Sequence, residues 1–372
     1  MRHFIDFSDL TPAEWTELYR RFDDILRRPA DYRECARGRV LGALFYEPST
    51  RTSFSFQVAM QRLGGSVFAM SEPGSTSVSK GESLKDTIIM CSGYADVIAL
   101  RHPCEGAALA ASLYARVPVI NAGDGGHMHP TQTLADLATI TRLRGGLDGL
   151  RIGFCGDLKH GRTVHSLICA LSRFPGVSFR LISPPALTIP DYLRAFLHAR
   201  GQRYTEATEL DTAMPQLDVL YMTRIQQERF PSREEYEEHR GVYVLTAAKM
   251  RTARPDLLVM HPLPRVDEIH PEVDEDPRAV YFEQARLGMY VRMALLLGLL
   301  SEPAGALPDL AYRGGARLCA NPRCVTAREA YLPPLEKEGR CAYCDARLRI
   351  SPPSDTPAKC HQNDAGTQIF SC

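Results

Sequence analysis

The chain has 372 residues, 44% of them hydrophobic and 24% charged, with 44 basic side chains (Lys and Arg) against 44 acidic ones. That length suits two medium domains plus an appendage, and a formal net charge of zero argues against a surface made for nucleic acid or an acidic membrane. The N-terminus MRHFIDFSDL carries Asp6 and Asp9 where a secretory signal needs an apolar run, and the most apolar late stretch, Met293 to Leu300, is too short to cross a bilayer.

In chain order, short apolar or β-branched runs alternate with segments of helical period, the pattern of α/β domains on parallel sheets. Strands are predicted at Val40–Tyr46, Ser66–Met70, Asp96–Leu100 and Val117–Asn121, and helices at Thr52–Leu63, Glu82–Gly93, Gly106–Tyr114 and Pro130–Leu143. Gly64-Gly65 and Gly145-Gly146 read as C-terminal caps. The second half repeats the texture. Its predicted strands are Leu150–Gly156, Val177–Ile182, Val219–Thr223 and Leu257–Met260, and its helices Arg162–Arg173, Asp191–Ala199 and Glu283–Leu300. The expected fold is α/β, with two doubly wound parallel-sheet domains over 1–146 and 147–301. The helix at 284–301 is expected to cross back onto the first domain. Residues 302–316 read as a Pro/Gly-rich linker, 317–350 as a small zinc-ribbon-like module, and 351–372 as a poorly ordered tail.

Cysteine usage is uneven. Cys35, Cys91, Cys104, Cys155 and Cys169 lie in apolar segments and read as buried free thiols, while six more follow residue 318. An odd total with no signal peptide favours a reducing, cytoplasmic setting over a disulfide framework.

The chemistry-bearing segments begin at Phe45-Tyr46-Glu47-Pro48-Ser49-Thr50-Arg51-Thr52, which ends a strand and opens a helix. Unbonded N–H groups at a helix start and the macrodipole both favour an anion there. Ser49, Thr50 and Thr52 add hydroxyls, and Arg51 adds a forked cation. Arg101-His102-Pro103 and His129-Pro130-Thr131-Gln132 offer donors suited to a carbonyl oxygen that gains negative charge. Pro130 fits a first helical turn and leaves His129 at the helix mouth, where an N-terminus disfavours the imidazolium, so His129 reads as a neutral donor. His127 reads as a loop histidine without a role. Arg162 opens a later helix, and Arg224 and Gln226 stand two apart on one side of a strand-like segment. Singly, each has an ordinary reading: a helix cap, a structural histidine beside proline, a solvated cation. Together they read as a site for small polyanions.

The 45–52 segment resembles the carbamoyl-phosphate signature of the aspartate and ornithine carbamoyltransferase family, and the resemblance runs from about residue 3 to residue 302. It implies transfer of a carbamoyl group from carbamoyl phosphate to an amine. By resemblance, carbamoyl phosphate is held by Ser49, Thr50, Arg51, Thr52, Arg101, His129, Gln132 and the carbonyls of Leu263 and Pro264. Arg51, Thr52, Arg101 and His129 are the catalytic set, with Gln132 accepting from the carbamoyl NH2. The aspartate branch is implied by Arg162, Arg224 and Gln226 for the two carboxylates, and by Pro262, where ornithine enzymes typically have cysteine. Ser77 and Lys80, in the serine-rich 75–82 loop, match the pair that reaches a neighbouring subunit's site, with Ser75 and Ser79 as the alternative serines, which implies a homotrimer with shared sites. Glu47 is implied as a bridge to Arg162 or Arg229. Arg51, Lys80, Arg101, Arg162 and Arg224 balance the roughly four negative charges of the two substrates, so no catalytic metal is expected. Two alternatives stay open: another amine acceptor, or an inactive homologue serving as a scaffold.

Cys319-x4-Cys324-x16-Cys341-x2-Cys344 has the spacing of two knuckles around one tetrahedral metal. So small a module needs the metal for folding free energy, and structural zinc is the expected occupant. The segment resembles the zinc domain of the aspartate carbamoyltransferase regulatory chain, with a shorter spacer and no room for an effector domain between Ser301 and Cys319. The resemblance implies docking or bracing in cis without nucleotide regulation, and leaves room for a higher assembly through this module. Cys360, His361 and Cys372 have no assigned role.

Overall fold

The computed structural model describes residues 3–70, 77–225, 232–234, 237, 241–301 and 317–350. Two all-parallel sheets dominate. The first has the order β2-β1-β3-β4, from β1 (Val40–Phe45), β2 (Ser66–Met70), β3 (Val97–His102) and β4 (Val119–Asp124). The second has the order β7-β6-β5-β8-β9, from β5 (Arg151–Cys155), β6 (Ser178–Ile182), β7 (Arg203–Ala207), β8 (Val219–Met222) and β9 (Leu258–Met260). Strand β1 and strand β8 are almost wholly buried along their length, as expected of parallel strands covered on both faces.

The helices are α1 (Pro12–Arg27), α2 (Thr50–Arg62), α3 (Leu84–Ser92), α4 (Ala107–Ser112), α5 (Pro130–Arg144), α6 (Arg162–Leu171), α7 (Asp191–Ala199) and a long helix, Tyr281–Ser301. Helix α1 and strand β7 lie outside the predicted set, as do two one-turn helices, Leu210–Ala213 and Ala247–Met250. Helix α1 was signalled by a capping box: Thr11 Oγ1 accepts from Glu14 N at 3.2 Å and Glu14 Oε2 accepts from Thr11 N at 2.7 Å. Its Trp15, Leu18, Phe22 and Ile25 are buried at helical spacing. Strand β7 carries polar residues at the sheet edge, so it lacks the apolar run that would have marked it.

The long helix packs against α1, α2 and α5. Ten residues between Leu287 and Leu299 are buried with no polar face, which fits a helix surrounded by protein. It contributes Leu287, Val291, Ala294 and Leu295 to a core shared with both sheets. Among the described residues, no helix is long and apolar enough to cross a membrane.

Of the five scattered cysteines, Cys91, Cys104 and Cys155 are buried and Cys169 half-buried. Cys35 is exposed, because it sits in the turns that follow α1 rather than in an element.

The module forms two small antiparallel ladders, β10 (Arg317–Cys319) with β13 (Leu348–Ile350) and β11 (Glu336–Lys337) with β12 (Arg340–Cys341). It is docked on the first sheet's helices. Val325, Leu332, Leu335 and Tyr343 join Leu84, Ile88, Ala107 and Ala110 in one apolar cluster. The backbones also pair: Glu105 N donates to Arg323 O at 3.0 Å and Val325 N to Glu105 O at 2.9 Å. Gly106 makes this approach possible. Its φ is +82°, and a Cβ there would lie 2.5 Å from both Cβ and the carbonyl oxygen of Tyr343. Gly106→Ala is expected to lower stability by more than about 1 kcal/mol, read as a lower urea midpoint at unchanged slope.

Candidate active site

Both sheets reverse their strand order internally, the first between β1 and β3 and the second between β5 and β8. Such switch points open a crevice at the carboxyl ends of the strands. Every predicted site segment among the described residues, except Ser77–Lys80, leaves a strand at that end. Glu47–Thr52 follow β1, Arg101 belongs to the end of β3, His129 follows β4, Arg162 follows β5, Arg224 follows β8, and Leu263-Pro264 follow β9. The two crevices face one another across a cavity of about 750 Å³ lined by Ser49, Thr50, Arg51, Thr52, Arg101, His129, Gln132, Arg162, Arg224, Leu263 and Pro264.

Helix α2 starts at Thr50, two residues before the predicted start. The first i→i−4 bond is Ser53 N to Ser49 O at 3.1 Å, so the N–H groups of Thr50, Arg51 and Thr52 precede it. Ser49 occupies the cap position, yet its side chain makes no capping bond, which sets aside the ordinary reading of that serine. Arg51 lies below the usual arginine pKa through partial burial and the neighbouring Arg101 and Arg224.

Glu47 accepts from Arg101 Nε at 2.8 Å and stands 3.8 Å from Arg162. Glu47 thus has Arg101 as its main partner here, while the bridge to Arg162 or Arg229 was implied for the closed form; Arg229 lies outside the described residues. Arg162 also donates to the carbonyl of Gly125. His129 is 5% exposed and caps α5 with Pro130 at the first position, and its Nδ1 has no hydrogen-bond partner among the described residues. Its pKa is driven well below the ordinary value by burial, then by Arg162, Arg101 and Arg292. The neutral imidazole was expected from the helix N-terminus; burial and the arginines act in the same direction. His127, assigned no role, lies between two carboxylates: Nδ1 is 3.0 Å from Asp124 and Nε2 is 3.0 Å from Asp345.

Ser77 and Lys80 fall on an exposed 3-10 turn and do not line the cavity. Gln226 lies outside the described residues, as do Ser75 and Thr76. The lining holds residues that the sequence reading missed. Arg292, 4% exposed, reaches the cavity from the long helix. It donates to Ser55 Oγ at 3.1 Å and lies over the Phe56 ring, and burial lowers its pKa to about 10. One arginine amid the apolar YVRMALLLGLL run was the available signal. Arg323 adds a cation from the cysteine module. Among the described residues the lining thus carries Arg51, Arg101, Arg162, Arg224, Arg292 and Arg323, the last paired with Glu105 at 3.4 Å, and one carboxylate, Glu47.

A buried polar network spans the base. Asp136, fully buried on α5, accepts from Gln132 at 2.8 Å, Gln284 at 2.7 Å and Tyr221 at 2.9 Å. Gln284 in turn accepts from His261 N at 3.0 Å, and His261 bridges Leu263 N at 2.7 Å and Glu268 at 2.7 Å. Because the Gln132 amide NH2 is used by Asp136, its carbonyl oxygen is left to face the cavity as an acceptor.

The four predicted metal ligands converge. The sulfurs of Cys319, Cys324, Cys341 and Cys344 all lie within 4.8 Å of one another, with Cys319–Cys344 at 3.5 Å and Cys324–Cys341 at 3.9 Å. Tetrahedral thiolates on zinc at about 2.3 Å would be about 3.8 Å apart, so the cluster fits that ion.

Comparisons with known proteins bear on the same residues. The family model described as the aspartate/ornithine carbamoyltransferase carbamoyl-P binding domain matches residues 2–142, and that described as the Asp/Orn binding domain matches 148–299. The aspartate carbamoyltransferase catalytic subunit of Clostridium perfringens is 56% identical over 302 residues, covering 81% of this chain and 98% of that one. The chain belongs to the aspartate carbamoyltransferase family. The catalytic subunit of the M. jannaschii aspartate transcarbamoylase superposes with a TM-score of 0.77 at 47% identity, covering 82% of this chain and 100% of that one. The Trypanosoma cruzi aspartate transcarbamoylase, solved with carbamoyl phosphate and aspartate, gives 0.75 at 38% identity, with 81% and 96% covered. Neither family model extends into the cysteine module.

Burial raises the Asp136 pKa from 3.8 to about 7 against the three donors. Between about pH 4 and 7 the native state thus holds a proton that the unfolded chain has released, so this group's contribution to stability is lost as pH rises through that window. Asp136→Asn is therefore expected to raise the melting temperature relative to the parent by more at pH 8 than at pH 5. A difference independent of pH would contradict the shift.

Proposed function

We propose that the chain transfers the carbamoyl group of carbamoyl phosphate to L-aspartate, giving N-carbamoyl-L-aspartate and phosphate in cytoplasmic pyrimidine (UMP) biosynthesis. The observation that carries this reading is the single cavity in which the start of α2, His129 and the arginines of both sheets meet. In this proposal residues 1–146 bind carbamoyl phosphate and residues 147–301 bind aspartate, so closing the cleft aligns the two substrates.

The N–H groups and hydroxyls at Ser49–Thr52, with Arg51, hold the phosphate. Thr52, Arg101 and His129 point donors at the carbonyl oxygen, and Gln132 accepts from the carbamoyl NH2 together with the carbonyls of Leu263 and Pro264. Arg162, Arg224 and Gln226 hold the aspartate carboxylates. The neutral α-amine attacks the carbonyl carbon; a C–N bond forms, and negative charge on oxygen is stabilised by the three donors. The C–O bond to phosphate then breaks, and the departing phosphate takes the amine proton. Because His129 is held neutral, it donates a hydrogen bond throughout and needs no proton of its own to transfer. Arg51→Ala or His129→Ala is expected to lower kcat by about 10²-fold or more with an unchanged unfolding transition, measured by carbamoyl-aspartate formation. Citrulline formation from ornithine at a comparable rate would instead support the alternative acceptor.

Ser77 and Lys80 are proposed to complete the site of a neighbouring subunit in a homotrimer, which accounts for their exposed position away from the cavity of their own chain. Mixing Lys80→Ala and His129→Ala chains is then expected to restore activity in about a quarter of the sites; a mixture as inactive as its parts would refute sharing.

Cys319, Cys324, Cys341 and Cys344 are proposed to hold one structural zinc. Four cysteine ligands close the coordination sphere, and the metal supplies folding free energy rather than chemistry. Metal analysis is expected to give about one zinc per chain, lost in Cys341→Ser.

A further inference from the structure

The metal module does more than cover an apolar helix face: its contacts converge on the loop that carries His129. At the end of β4 the carboxylate of Asp124, 2% exposed, gathers that loop. Its Oδ1 accepts from Met128 N at 3.0 Å, and its Oδ2 accepts from Gly106 N at 2.7 Å. The loop also closes on itself, with His127 N donating to Asp124 O at 3.0 Å and Asp124 N to Met128 O at 3.2 Å. The His127 ring then spans from this carboxylate to that of Asp345 in the module, at 3.0 Å on each side.

Asp345 follows Cys344 directly and adopts a left-handed φ of +57°. Its N–H donates to Cys341 O at 2.9 Å, and its own carbonyl accepts from Arg340 at 3.0 Å. The knuckle of Cys341 and Cys344 therefore sets where this carboxylate stands. On its inner side the same loop meets the chemistry. Gly125 O accepts from Arg162, and His129 follows Met128 at the mouth of α5. Gly125 packs closely against the segment before α4, since a Cβ there would lie 2.6 Å from Pro103 O and 2.9 Å from Glu105 Cγ. Glu105 is itself pinned by Asn321 of the module at 2.6 Å.

We propose that Asp345 is a positioning residue for the transfer reaction: through His127 it fixes the 124–128 loop, and with it the placement of His129 and Arg162. The inference rests on the carbamoyl-transfer reading above. The His127–Asp345 contact ties this loop to the module, and a shift near 1 Å in a reacting geometry costs up to about 10²-fold in rate.

The test uses the full-length, metal-loaded chain. Asp345→Gly removes the carboxylate while suiting the positive φ, and Asp345→Asn keeps an acceptor at the same place. Tyr331→Phe removes a different module contact, the hydroxyl that accepts from Lys85 N at 2.9 Å away from the loop, and serves as the control. Asp345→Gly is expected to retain its zinc, to lower kcat at least about tenfold, to leave KM for carbamoyl phosphate within about twofold, and to speed amide exchange over residues 124–129. Asp345→Asn recovers most of the rate, and Tyr331→Phe changes neither kcat nor exchange. Unaltered kcat and exchange in Asp345→Gly, or an equal loss in Tyr331→Phe, would overturn the proposal. A parent chain that makes no carbamoyl-aspartate would defeat the functional reading, whereas the exchange measurement decides the loop restraint by itself.

Discussion

Like charge held at close quarters is the constraint on which the rest of this structure depends. Among the described residues six guanidinium groups line one cavity with a single glutamate, and partial burial together with Arg101 and Arg224 depresses the Arg51 pKa. Side chains that repel one another do not stay together unless the scaffold holds them or an anion joins them. Here the scaffold is a pair of parallel sheets whose switch points face each other, so that the helix start after β1 and the arginines after β5 and β8 open into the same space. Two small polyanions side by side would remove the repulsion, which is why the site reads as a receptor for charge rather than as a proton-transfer centre.

The histidine follows from the same constraint. A buried imidazole among three arginines cannot keep a second proton, and a neutral ring that donates N–H serves an oxyanion without titrating near neutral pH. The network beneath it is polar and hydrogen-bonded. Asp136, with its pKa raised by burial, joins Gln132, Gln284 and Tyr221, linking α5, the long helix and β8. Its amides orient acceptors, and its hydrogen bonds satisfy groups that would otherwise be costly to bury.

The cysteine module sits at the margin of this arrangement. Its Arg323 reaches the cavity lining, and its Asp345 reaches the loop before His129. Its backbone and apolar contacts with the first sheet's helices suit it to hold a loop that the first sheet restrains through Asp124.

The chemistry of the site was legible in the sequence because it is written in short contiguous segments, Ser49–Thr52, Arg101-His102-Pro103, His129–Gln132 and the four cysteines, whose residue types and local spacing already encode helix starts and knuckles. The parallel-sheet architecture was legible for the same reason, since apolar runs fix strands locally. What the sequence could not determine was which distant segments meet. Arg292 looked like one charge in an apolar helix, and His127 like an idle loop residue; only the crossing of the long helix behind α5 and the docking of the module gave them partners. Exposed Cys35 and the polar edge strand β7 were misread or missed because burial and pairing are properties of the packed chain, set by neighbours far away in sequence. The cause of His129's neutrality belongs there too: a helix start is local, but three arginines around one ring exist only once both sheets have come together.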